Sequence, residues 1–119
     1  MPQYMLLLFA DPSQGPAEGS PEAMAEWQAW GTYTQGLKDA GAFVSGEPLE
    51  PPTTATTLAM RDGERVVTDG PFAETKEWLG GYYVIEAADL DAALDHASRV
   101  PNAGYGHVEV RPVMQVPGM

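Results

Sequence analysis

The opening run of the chain is apolar on both faces. Over Met1 to Ala10, Tyr4, Leu6 and Leu8 share one face of a strand, and Met5, Leu7 and Phe9 the other. A strand of this kind belongs inside a sheet, covered on two sides. Asp11 to Gly19 holds two prolines and two glycines and reads as a loop. Ser20-Pro21-Glu22 then opens a helix: a capping hydroxyl, a proline suited to the first turn, and a carboxylate at the positive helix end. Met24, Trp27, Trp30, Gly31, Thr34 and Leu37 recur at three- and four-residue spacing as one stripe, and Gly41 supplies the stop. Phe43 to Glu50 reads as a strand. Thr53 to Met60 and Glu64 to Thr68 flank Arg61-Asp62-Gly63 as a hairpin. Gly80 to Ala87 is a further strand. Asp89 caps a second helix with Leu90, Ala93, Leu94, Ala97 and Val100 as its apolar positions, ended by Pro101. His107 to Gln115 closes the chain as a strand.

The order is β-α-β, a hairpin, then β-α-β. Two helices cover only one face of such a sheet, so the doubly apolar first strand predicts a second cover. The same face of a second copy is the simplest one, because a two-fold interface is self-complementary. The fold class expected is α+β: one ferredoxin-like domain over residues 1–119 with an extra β-hairpin, forming a dimer through its sheet.

Composition narrows the function. The 119 residues carry 17 acids against six bases, a net charge of −11, with no basic cluster. Such a surface repels phosphate backbones and anionic lipid, which disfavours nucleic acid and membrane as partners. The six apolar residues from Met5 to Ala10 are too few to span a bilayer, and no basic segment precedes them as in a secretory signal. The expectation is a cytoplasmic protein. Without cysteine there are no disulfides or thiolate metal sites, and two histidines eleven residues apart make a poor metal signature. No cofactor signature is present: Gly80-Gly81 precedes a strand rather than a helix, and there is no nucleophile elbow.

The polar loop from Asp69 to Glu77 gathers three further candidates for chemistry. Asp69 is a candidate base or ligand anchor; the competing role is to fix the Asp69-Gly70-Pro71 turn by accepting from backbone amides. Glu74 and Glu77 share a face if Pro71 starts a helical turn, against the alternative of a solvated loop with an ion pair to Lys76. Glu47, between Gly46 and Pro48, points into a cleft or stands as an edge-strand charge. His107, Glu109 and Arg111 alternate onto one strand face, with His107 as an acid or base and Arg111 as an anion contact; a plain polar sheet face is the competing reading. Tyr82, Tyr83, Trp27, Trp30, Trp78 and Tyr105 are candidate walls of an aromatic pocket, unless they are simply core. His96 lies off its helix's apolar stripe, at the surface.

The run Thr68-Asp69-Gly70-Pro71-Phe72-Ala73-Glu74-Thr75-Lys76-Glu77 resembles the signature of the DGPF group of YCII-related proteins. The resemblance extends through Tyr4-Met5-Leu6-Leu7-Leu8, Ser45-Gly46-Glu47, Gly80-Gly81-Tyr82-Tyr83-Val84-Ile85-Glu86 and Val108-Glu109-Val110-Arg111-Pro112, nearly the whole chain. It implies a homodimeric α+β barrel with clefts between sheets and helices. Some relatives are proposed to use a His–Asp pair, and at least one is a dehydrochlorinase. This chain has Met24 and Val100 at those two positions, and neither side chain carries a proton. DGPF-type proteins are often encoded beside extracytoplasmic-function sigma factors. Two readings follow. One is a binder of a small organic molecule in an inter-sheet cleft, with acid–base catalysis by Asp69, Glu47 and His107 and ligand contacts from Arg111, Glu74 and Tyr82. The alternative is a non-catalytic regulatory or sensor partner linked to a sigma factor.

Overall fold

The computed structural model describes residues 1–118. Its main sheet is antiparallel, with strands β1 (Gln3–Ala10), β2 (Phe43–Pro48), β5 (Trp78–Glu86) and β6 (Gly106–Pro112) in the order β2-β5-β1-β6. Helix α1 (Pro21–Asp39) joins β1 to β2, and α2 (Leu90–Ala97) joins β5 to β6. Strands β3 (Thr56–Arg61) and β4 (Glu64–Asp69) form a separate two-stranded ribbon. This is the ferredoxin-like order with an inserted hairpin. Among the described residues, no helix is long and apolar enough to cross a membrane.

Local chemistry explains the boundaries. Ser20 Oγ accepts from the Ala23 amide at 3.1 Å, with Pro21 in the first turn of α1. At the other end Gly41 has φ +71, its amide bonds the Lys38 carbonyl, and the Ala42 amide bonds the Leu37 carbonyl. That is a Schellman stop, and it needs the left-handed glycine. Asp89 caps α2 through the Ala92 amide at 2.9 Å. In the hairpin, Asp62 (φ 51) and Gly63 (φ 78) both take positive φ, as a type I′ turn demands.

The core lies between the helices and one sheet face. Leu6, Leu37 and Ile85 are fully buried there, with Tyr4, Leu8, Tyr83, Ala93, Ala97 and Val100 around them. The predicted α1 stripe is corrected in its first half: Met24 is 63% and Trp27 66% exposed, and Leu37 is the helix's one fully covered residue. The helix is held at its C-terminal half. Tyr33 Oη donates to the His96 carbonyl of α2 at 2.7 Å, and Trp30 stacks on Tyr83 with ring centroids 6.3 Å apart. The α2 stripe is likewise split, since Leu90 and Leu94 are about half exposed while Ala93 and Ala97 are buried.

The opposite sheet face carries Met5, Leu7 and Phe9 of β1, beside Val84 of β5. These are only partly covered. All six residues of β4 are exposed, and so are Leu58 and Met60 of β3. The radius of gyration is 16.4 Å; a compact chain of this length has about 13.5 Å. The difference fits a hairpin that stands away from the body.

Candidate functional site

A cleft opens between the middle of α1 and the sheet. The cavity measures about 560 Å3, within the range of sites that enclose small organic ligands. Trp27, Trp30, Gly31 and Thr34 form its helical wall, and Leu8, Gly81 and Tyr83 its floor. Tyr105 and Asn102, from the segment before β6, close one end.

Two details of the sheet build this space. The β1–β5 register shifts between Leu8 and Phe9: Leu8 faces Gly81 while Phe9 faces Leu79, so Gly80 is an extra residue. Such a bulge reverses the facing of what precedes it. Trp78 therefore stands opposite Ala10 on the helix side and joins the cavity wall. Gly46 is the second detail. A Cβ there would lie 2.6 Å from Tyr83 Cδ1, so the tyrosine ring lies directly against the glycine backbone.

The hydroxyls of the cleft are oriented. Thr34 Oγ1 donates to the Trp30 carbonyl at 2.9 Å and lies 2.5 Å from Tyr83 Oη. With the threonine proton committed, Tyr83 is the donor of that pair, and its oxygen keeps acceptor capacity toward the cleft. Tyr105 Oη donates to Glu26 Oε1 at 2.6 Å, tying the 101–105 segment to the lifted half of α1. Burial first, and then the bond to Glu26, push the Tyr105 phenol well above its ordinary range, so it stays protonated. Among the described residues, no lysine, arginine or histidine lines the cavity.

The residues singled out from the sequence fall in different places. Glu47 and Tyr82 are cross-strand neighbours at the β2–β5 edge of the cavity. Strand alternation turns both side chains toward the opposite sheet face, since Gly81 and Tyr83 on either side of Tyr82 face the helices. Asp69 ends β4 opposite Thr56, is exposed, and does not line the cavity. Its turn is fixed differently from the expectation. The Gly70 amide donates to the Ala55 carbonyl and Thr57 Oγ1 to the Gly70 carbonyl, both at 2.7 Å, with Gly70 at φ +98. Among the described residues the Asp69 carboxylate makes no hydrogen bond. Glu74 is exposed in the loop that follows.

His107, Glu109 and Arg111 lie on β6 opposite Phe9, Leu7 and Met5, on the sheet face away from the helices. Glu109 and Arg111 approach to 3.8 Å. His107 Nδ1 meets Glu77 Oε1 at 2.5 Å, a pairing across 30 positions with no signal in the local sequence. Among the described residues no group of three or more His, Asp or Glu is placed to hold a metal ion.

A second hollow, between α1 and α2, is lined by Tyr33, His96 and Arg99 among others. Its ionisable groups are engaged with one another: Arg99 bonds Asp95 at 2.6 Å and His96 Nδ1 at 3.1 Å.

Residues 3–117 match the YCII-related domain family. The chain belongs to this family. A relative from Rhizobium meliloti (strain 1021), the uncharacterized protein R00369, is 39% identical over 112 residues, covering 92% of this chain and 90% of that one. Among solved structures, the chain is similar to the 5-chloro-2-hydroxyhydroquinone dehydrochlorinase TftG of Burkholderia phenoliruptrix AC1100, in complex with 2,5-dihydroxybenzoquinone. That match has 18% identity and a TM-score of 0.48, over 94% of this chain and 95% of the other.

Proposed function

We propose that this YCII-related protein binds a small, largely apolar organic molecule in the α1 cleft and works as a two-fold dimer through the uncovered face of its sheet. The observation that carries the binding reading is the cavity itself. Trp27, Trp30, Trp78, Tyr83 and Tyr105 surround about 560 Å3 with aromatic surface, and a few oriented hydroxyls punctuate it. Flat apolar walls with sparse, fixed polar groups are the chemistry of a small-molecule site. Acid–base catalysis is the further step within this reading. Within the cleft, Tyr105 is held protonated and is a hydrogen-bond donor rather than a base, which favours binding as the primary role.

Gly31 supplies the test. Gly31 lines the cavity, and an added Cβ there meets nothing within 4 Å, so a long side chain at the cavity wall is accommodated without disturbing the backbone. Replacing a helical glycine also favours the helix by up to about 1 kcal/mol. Gly31→Met is expected to melt at or above the parent temperature while losing tryptophan-fluorescence response to small aromatic compounds. A ligand that binds Gly31→Met as tightly as the parent sits elsewhere, and the reading fails.

A further inference from the structure

We infer that the α1 cleft selects an organic cation, a protonated or quaternary amine carried on an apolar body, over neutral or anionic ligands of the same shape. The inference rests on the proposed use of the cleft and adds the charge of its ligand. Three observations support it. First, the wall is rich in aromatic rings, and Trp27 among them is 66% exposed. The π-face of an indole or phenol carries negative potential and attracts cations, tryptophan most strongly. Second, the charged side chain fixed at this wall is a carboxylate: Glu26 has one oxygen bonded to Tyr105 Oη, and its second oxygen takes no hydrogen bond among the described residues. Third, among the described residues no basic side chain lines the cavity, so an anion entering it would lose water and find no counter-charge.

The surroundings act in the same direction. Asp11 adjoins the lining residue Pro12, and its carboxylate is held ionised by the Ser13 hydroxyl and amide. Lys76 is the cation whose charge reaches Asp11, but it does not line the cavity. The whole chain, at −11, raises the local concentration of cations at its surface.

Three probes of one shape class separate the possibilities: phenyltrimethylammonium, its neutral isostere tert-butylbenzene, and benzoate. Each is titrated into the intact protein by tryptophan fluorescence, on parent, Glu26→Gln, Trp27→Leu and Gly31→Met. The cation is expected to bind about tenfold more tightly than tert-butylbenzene, the scale of a desolvated cation–π contact, and benzoate more weakly still. Glu26→Gln retains an acceptor for Tyr105 and is expected to weaken the cation several-fold while leaving tert-butylbenzene within about twofold. Trp27→Leu keeps an apolar wall but loses the π-system, and is expected to weaken the cation by a larger factor than it weakens tert-butylbenzene. Equal binding of cation and isostere, both abolished by Gly31→Met, overturns the charge preference and leaves the cleft reading standing. Benzoate binding tightest does so as well. A cation that binds Gly31→Met undiminished is held elsewhere and overturns the inference. Failure of all three probes to bind overturns both readings.

Discussion

Gly46 and Asp69 show how differently two residues that carry the family resemblance are constrained. Gly46 has no room for a methyl group: its Cβ would stand 2.6 Å from Tyr83 Cδ1 and 2.9 Å from the Tyr82 carbonyl oxygen. The tyrosine ring can yield only by leaving Thr34 and Trp30, and the carbonyl belongs to the β2–β5 ladder. Overpacking of this kind costs about 1–3 kcal/mol. Gly46→Ala is therefore expected to lower the unfolding free energy by that amount, read as a lower urea midpoint, and to displace Tyr83 into the cleft, weakening any ligand held there. Asp69, by contrast, is exposed, and its turn is held by backbone and Thr57. Asp69→Asn is expected to change stability by no more than about 0.5 kcal/mol and to leave cleft binding unaltered. A several-fold loss of binding in that variant would place the carboxylate in the site after all, contributed by a part of the assembly that one chain does not display.

At the scale of elements, the fold was legible where caps, turns and periodicity agree. Ser20, Gly41, Asp62-Gly63 and Asp89 each mark a boundary through its own local chemistry, and the strands fall between them. The candidate site was legible only in part. The aromatic residues could be named, but their spacing on α1 is the same for a core stripe as for a cavity wall. What separates the two is how far the helix stands from the sheet, which tertiary contacts decide. Trp78 reaches the cavity through a bulge at Gly80, and the His107–Glu77 pair, away from the cavity, forms where two distant segments meet. Neither leaves a mark on hydrophobic period. The end of α2 offers an element-scale test of the electrostatics. Burial first, and then the charge of Arg99, lower the His96 pKa, with Asp95 opposing. An imidazole with a lowered folded pKa is protonated first in the unfolded chain. Its contribution is thus complete above about pH 6.5, the unfolded value, and is lost as pH falls below it toward the folded value. The ring is part-exposed, so the effect is small. The difference in melting temperature between parent and His96→Gln is expected to move against the parent between pH 7 and pH 5. A constant difference over that range would show that His96 titrates alike in both states.

At the scale of the whole molecule, the unbalanced distribution of apolar surface argues for a second copy. Tyr4, Leu6 and Leu8 are buried on the helix side, but Met5, Leu7 and Phe9 on the same strand are only partly covered by the described residues. Val44 (42%), Val67 (56%) and Phe72 (94%) add exposed apolar surface on β2, on the hairpin and in the loop that follows it. Soluble monomers seldom leave contiguous apolar patches beyond a few hundred Å2, roughly. A ferredoxin-like sheet meets this need by stacking face to face with its own copy, since one patch then covers the other. The protein is expected to sediment as a dimer at micromolar concentration. Phe9→Glu, in the middle of the open face opposite His107 and Leu79, is expected to yield a folded monomer, because that side chain takes no part in the helix-side core. Charge gives the prediction a second handle. Two chains of net charge −11 repel one another, and added salt screens that repulsion over about 10 Å at 0.1 M. Association is therefore expected to tighten between 20 mM and 300 mM salt, the reverse of an interface held by opposite charges. A stable, well-folded monomer at every salt concentration would remove the sheet-to-sheet dimer, and the partly covered Met5, Leu7 and Phe9 would then need a different partner.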